Sequence, residues 1–121
     1  EAIKKARSTL NQFLQKFTNP TPEMSDFKLK VHIGDEHGNE HSWVPPFEIT
    51  KNGFKGIIAN RPQVVKSVQF GQEIAFTRLD VSDWGYMEDG KQHGSFTICV
   101  LFKKMPKKQA DYYRVNHGFQ C

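Results

Sequence analysis

The sequence is short of several things whose absence narrows what it can be. Its longest uninterrupted apolar run, Ile98 to Phe102, is five residues, far below the roughly 20 that a membrane-spanning helix needs. Nine Gly and six Pro among 121 residues are too few for low complexity, and ten Phe, three Tyr and two Trp argue against disorder. A G-x-S-x-G nucleophile elbow is missing, as is any strand, Gly-rich turn and helix succession that would seat a dinucleotide or a P-loop. Excess charge of one sign is also missing from most of the chain. Residues 1 to 102 carry twelve basic and twelve acidic side chains, so the net +4 lies in the tail, where Lys103, Lys104, Lys107, Lys108 and Arg114 face a single Asp111. A charge run at one end is usually a solvated face, and nucleic acid is not the expected partner.

What is present reads as alternating short elements. Ile3, Ala6, Leu10, Phe13, Leu14 and Phe17 recur at steps of three and four, which predicts an amphipathic helix ended by Asn19-Pro20. Phe27, Leu29, Val31 and Ile33 then alternate with Lys28, Lys30 and His32, the pattern of a half-buried strand. His37-Gly38-Asn39-Glu40 predicts a hairpin turn, with a return strand through Trp43 and Val44 blunted by Pro45-Pro46. Asn52-Gly53 introduces a strand at Phe54 to Ala59, Val64 to Phe70 fits a short strand or a helical turn, and Glu73 to Val81 reads as extended. Ser82 to Gly94 is expected as a loop, Ser95 to Lys103 as a central strand apolar on both faces, and Lys107 to Val115 as a short helix. The sum is a single α+β domain over residues 1–121. Its N-terminal amphipathic helix packs on a curved, half-barrel-like antiparallel sheet of about five or six strands.

Few residue groups suggest chemistry. His37-Gly38-Asn39-Glu40-His41 matches H-x-x-E-H formally, but Gly38-Asn39 between strand patterns forces a turn, and a turn cannot set both imidazoles on one helix face. A looser metal site from His37 and His41 with Asp35, Glu36 and Glu40 is the alternative to an exposed polar hairpin tip, and the expectation is no metal and no cofactor. Asp80-Val81-Ser82-Asp83-Trp84-Gly85-Tyr86 places two carboxylates, a hydroxyl and two large aromatics where a strand meets a loop. Asp80 and Asp83 with a histidine could divide acid and base roles in a hydrolase or lyase. The competing reading, which is favoured, has Asp83 holding backbone and Trp84 plugging the end of the sheet. Cys99 and Cys121 are the only cysteines. Either they form one internal bridge, or Cys99 is a reduced, buried residue and Cys121 a free thiol.

Several strings together resemble the YegJ-like family of bacterial proteins of unknown function. They are the opening helix Glu1 to Phe17, Glu40-His41-Ser42-Trp43-Val44, Phe54-Lys55-Gly56, Asn60-Arg61-Pro62, Phe70 to Phe76, Asp83-Trp84 and His117-Gly118-Phe119. The resemblance implies a small bacterial domain, preceded in some members by an export signal. That fits a chain without an initiator Met, from which an upstream piece is expected to have been removed, and it favours the Cys99–Cys121 bridge. It carries over no catalytic residue. The resulting expectation is an exported or periplasmic, non-catalytic module that binds another protein as an inhibitor or immunity-type partner, with Trp43, Asp83, Trp84 and Tyr86 as its binding positions.

Overall fold

The computed structural model describes residues 1–121. Its elements are α1 (Ala2–Ser8), α2 (Leu10–Thr18), β1 (Met24–Asp35), β2 (Gly38–Trp43), β3 (Phe47–Ile49), β4 (Phe54–Ile57), β5 (Glu73–Phe76), β6 (Val81–Glu88), β7 (Lys91–Gly94), α3 (Phe96–Phe102) and α4 (Lys107–His117). One antiparallel sheet has the strand order β2-β1-β6-β7, and a smaller antiparallel sheet the order β3-β4-β5. The fold is therefore α+β. The chain divides into two compact units, one of residues 1–27 and 83–121, the other of residues 28–82.

In the first unit the expected N-terminal helix forms, with a bend at Thr9, where φ is −108° and ψ 5°. The Thr9 hydroxyl donates back to the Lys5 carbonyl at 2.8 Å, a local bond that competes with the helix ladder and bends it. The bend is also where Trp84 of β6 docks, its Nε1 donating to the Ala6 carbonyl and to Thr9 Oγ1, both at 3.1 Å. Ala6, Leu10 and Phe13 are buried on this side. Phe13 stacks on Trp84 with ring centres 5.1 Å apart, and Phe27 stacks on Tyr86 at 5.2 Å. Gly94 must be glycine, because its φ is +78° and a Cβ there would lie 2.4 Å from the Trp84 ring.

Two expectations are corrected in this unit. Residues 82–94 are not a loop but the β6–β7 hairpin, closed by Asp89-Gly90 at φ 53° and 75°, the turn conformation that matches strand twist. Ser95 to Lys103 is not a strand but α3. A seven-residue run of Phe, Thr, Ile, Cys, Val and Leu favours extended backbone, and the side chain that reverses the preference is Asp83. Its carboxylate, fully buried, accepts from the Phe96 N–H at 3.1 Å, the Thr97 N–H at 2.9 Å and the Thr97 hydroxyl at 2.6 Å. The two amides are first-turn donors that an isolated helix leaves without partners, and Ser95, the N-cap residue, supplies no side-chain bond of its own. Phe102 then rests on Tyr113 of α4 and on Phe119, and a Cys99–Cys121 disulfide ties α3 to the end of the chain.

In the second unit, Phe47, Phe54 and Phe76 fill the β3-β4-β5 sheet, with Phe54 and Phe76 stacked at 5.4 Å. The β1–β2 turn is centred on Glu36-His37, two residues earlier than Gly38-Asn39, since Asp35 pairs with Gly38. Val64 to Phe70 is neither strand nor helix, and the extended stretch from Glu73 stops at Phe76 before a 3-10 turn at Arg78–Asp80.

Replacing Asp83 with Ala strands buried amide donors, so the variant is expected to lose about 3 kcal/mol of unfolding free energy. Urea denaturation followed by circular dichroism checks this, and wild-type stability would contradict the capping role.

Candidate binding face

The β1–β2 hairpin is two-sided, as strand alternation requires. Leu29, Val31, Ser42 and Val44 are buried on one side. The other side carries Lys28, Lys30 and His32 from β1, and Asn39, His41 and Trp43 from β2, with Lys30 opposite Trp43, His32 opposite His41 and Gly34 opposite Asn39. Trp43 is half-buried. The ammonium groups of Lys28 and Lys30 lie 4.5 and 5.4 Å from the centre of its ring, within the range of cation–π attraction. Its backbone N–H donates to Asn60 Oδ1 at 2.8 Å, which fixes the end of the strand.

Next along the face, the His32 and His41 rings lie 5.3 Å apart, centre to centre. His32 Nε2 bonds Asn39 Oδ1 at 2.9 Å, and His41 Nδ1 bonds Ser82 Oγ at 2.8 Å. Burial, followed by the charges of His32 and Lys30, holds the His41 imidazole below its usual pKa. This face therefore offers ammonium groups, imidazoles and one indole, a set suited to acidic or aromatic groups.

The carboxylates of the hairpin turn elsewhere. Glu40 accepts the backbone N–H groups of Gln63 at 3.1 Å and of Val64 and Val65 at 2.8 Å. Asp35 accepts those of His37 at 2.8 Å, Lys66 at 2.7 Å and Ser67 at 2.9 Å. The irregular segment from residue 63 to 67 is thus held by two side chains of one hairpin. The Val65 and Val64 amides lower the Glu40 pKa against the opposing effect of burial. At Asp35 burial raises the pKa, but the amides of His37, Lys66 and Ser67 outweigh it and the net shift is downward.

Of the positions expected to bind, Trp43 lies on this open face, whereas Asp83, Trp84 and Tyr86 are buried at 0, 8 and 2% exposure and hold the other unit together. Asp80, named with Asp83 for acid–base work, closes a capping box with Thr77, accepting its N–H at 3.0 Å. Both carboxylates are thereby engaged by backbone. The looser metal set is also redistributed: His37 faces Glu36 at 3.7 Å, Asp35 and Glu40 hold the 63–67 segment, and the imidazole beside His41 is His32. Sequence reading missed His32 because a turn centred on Gly38-Asn39 would set His41 opposite Glu36. The observed turn sets it opposite His32. In the sequence Ser82 is a hydroxyl between two carboxylates, and nothing there ties it to His41.

Because both folded-state pKa values lie below the ordinary 3.8 and 4.5, Asp35 and Glu40 stabilise the fold fully above those values. That stabilisation is lost as pH falls through them toward the folded values. Thermal unfolding is expected to drop more steeply for wild type than for Glu40→Gln between about pH 5 and pH 3. Parallel curves would contradict the clamp.

Comparison with known proteins gives this geometry a family. A relative in Escherichia coli strain K12, the uncharacterized protein YegJ, is 33% identical over 114 residues, which covers 94% of this chain and 73% of that protein. A putative ankyrin repeat protein of Neisseria meningitidis serogroup B is 26% identical over 70 residues, 58% of this chain and 28% of that protein. No solved structure matches. The family model described as an uncharacterized protein conserved in bacteria, DUF2314, matches residues 1–121, and the chain belongs to that family.

Proposed function

We propose that the chain is a non-catalytic protein-binding module, a single domain over residues 1–121, that works outside the cytoplasm and grips an acidic partner through the open face of the β1–β2 hairpin. The observation that carries this reading is Trp43, a half-buried indole lying beneath two lysine ammonium groups on a sheet face whose own carboxylates point into the 63–67 segment. An aromatic anchor beside positive charge is the composition of an interface hot spot. The lysines steer an acidic surface, and the indole supplies the area that excludes water.

Asp83, Trp84 and Tyr86 serve this reading from the core, not by contact. The Cys99–Cys121 disulfide supports an oxidising compartment, where such bonds persist. The Neisseria relative's name, a putative ankyrin repeat protein, supports a role in association, because repeats of that kind build extended binding surfaces. In the basic tail, Asp111 is gripped by Lys107 at 2.6 Å and Arg114 at 2.7 Å, which leaves less of that charge for a polyanion.

The test is affinity capture with the tagged chain from separate envelope and cytoplasmic extracts of a bacterial host, with alkylation of the bait's cysteines in cells. A partner from the envelope fraction that is lost with Trp43→Ala, kept with Trp84→Phe and weakened by salt is the expected result, with Cys99 and Cys121 protected from alkylation. A partner indifferent to Trp43→Ala would overturn the assignment of the face, and reduced cysteines in cells would overturn the location.

A further inference from the structure

The segment that Glu40 and Asp35 hold forms, with the residues flanking it, a cavity of about 560 Å³, within the size range of small-molecule sites. Its lining is of two kinds. Arg61 and Lys66 bring positive charge, Pro62, Val65, Val68 and Phe70 bring apolar surface, and no aspartate or glutamate lines it. Neither Arg61 nor Lys66 takes part in a salt bridge. The Arg61 guanidinium instead lies over the Phe70 ring, 4.7 Å from its centre, a contact that positions the group without giving it a hydrogen-bond acceptor. Phe70 is 52% exposed, so a ligand can cover it at no cost to the core.

The walls are fixed at both ends. Glu40 accepts from the amides of Gln63, Val64 and Val65, Asp35 from those of Lys66 and Ser67, and the Val65 side chain is buried. Beyond Phe70, the Gly71 N–H donates to the Ile58 carbonyl at 2.8 Å and the Ile58 N–H to the Gln72 carbonyl at 2.9 Å. The Gln69 N–H donates to Gln72 Oε1, also at 2.9 Å. Backbone that is ordered before a ligand arrives has little entropy left to lose on binding it.

We infer that this cavity binds a small organic phosphate, with Arg61 and Lys66 holding a phosphomonoester head and Phe70 and Val68 covering an apolar body. A guanidinium meets phosphate oxygens through two parallel N–H bonds. A phosphomonoester carries a charge of about −1.5 to −2 at neutral pH, which two cations match. The site shares no residue with the Trp43 face and stands or falls separately from the binding role proposed there.

The test is titration of the full chain with phenyl phosphate, inorganic phosphate and phenol, followed by amide NMR. Phenyl phosphate is expected to bind saturably and to shift amides of residues 61–70 ahead of those on the β1–β2 hairpin, with inorganic phosphate and phenol at least about tenfold weaker. Arg61→Gln with Lys66→Gln should abolish binding, and Phe70→Ala should weaken phenyl phosphate about tenfold while leaving inorganic phosphate unchanged. Glu40→Ala should also weaken binding, because it releases the segment, although it removes a negative charge. Amide spectra establish that the variants are folded. Equal affinity for inorganic phosphate, shifts led by the hairpin face, indifference to the Arg61 and Lys66 changes, tighter binding by Glu40→Ala, or no saturable binding by wild type would each overturn the site.

Discussion

Glu40 accepts the amides of Gln63, Val64 and Val65, and Asp35 those of Lys66 and Ser67, so that five consecutive N–H groups with no ladder or helix partner are held by two side chains from one hairpin. Main-chain donors near a core have to find acceptors, and this chain supplies them repeatedly as side-chain carboxylates. Asp83 does the same for the first turn of α3, and Asp80 for the turn that begins at Thr77. Each acceptor converts a stretch without strong conformational preference into a fixed one. Irregular backbone is therefore ordered here by charge-assisted hydrogen bonds as much as by apolar burial.

This arrangement has a consequence for the surface. In β2, alternation sends Glu40 and Ser42 one way and Asn39, His41 and Trp43 the other. Once Glu40 and Asp35 are engaged with the 63–67 segment, the opposite face of the hairpin is left with Lys28, Lys30, His32, His41 and Trp43. The polarity of that face follows from where the carboxylates are needed. Its cations gather over the indole, and its imidazoles receive their hydrogen-bond partners from Asn39 and Ser82.

Much of this was legible in the sequence where a period was strong. The helix through Phe17, the strand from Phe27 to Ile33 and the helix from Lys107 all follow from apolar spacing. The bend at Thr9 did not, since it depends on which carbonyl a hydroxyl chooses. The composition of Ser95 to Lys103 favours a strand, and the residue that overrules it, Asp83, lies thirteen positions before Phe96. The sequence predicts the hairpin but places its turn at Gly38-Asn39, two residues after the observed one, and that shift conceals the facing of His32 and His41. Asp83, Trp84 and Tyr86 stood out by residue type, and burial assigns them to the core. Trp43, on a strand that ends at two prolines, is the one of the four that lies on the open face.

Amide hydrogen exchange at neutral pH tests the central claim most directly, that carboxylates order the irregular backbone. Slow exchange is expected at Val64, Val65, Lys66 and Ser67, which belong to no helix or strand, and at Phe96 and Thr97 in the first turn of α3. Exchange at the rate of an open chain across residues 64–67 would show that Glu40 and Asp35 do not hold the segment, and the account of the open face would fall with it.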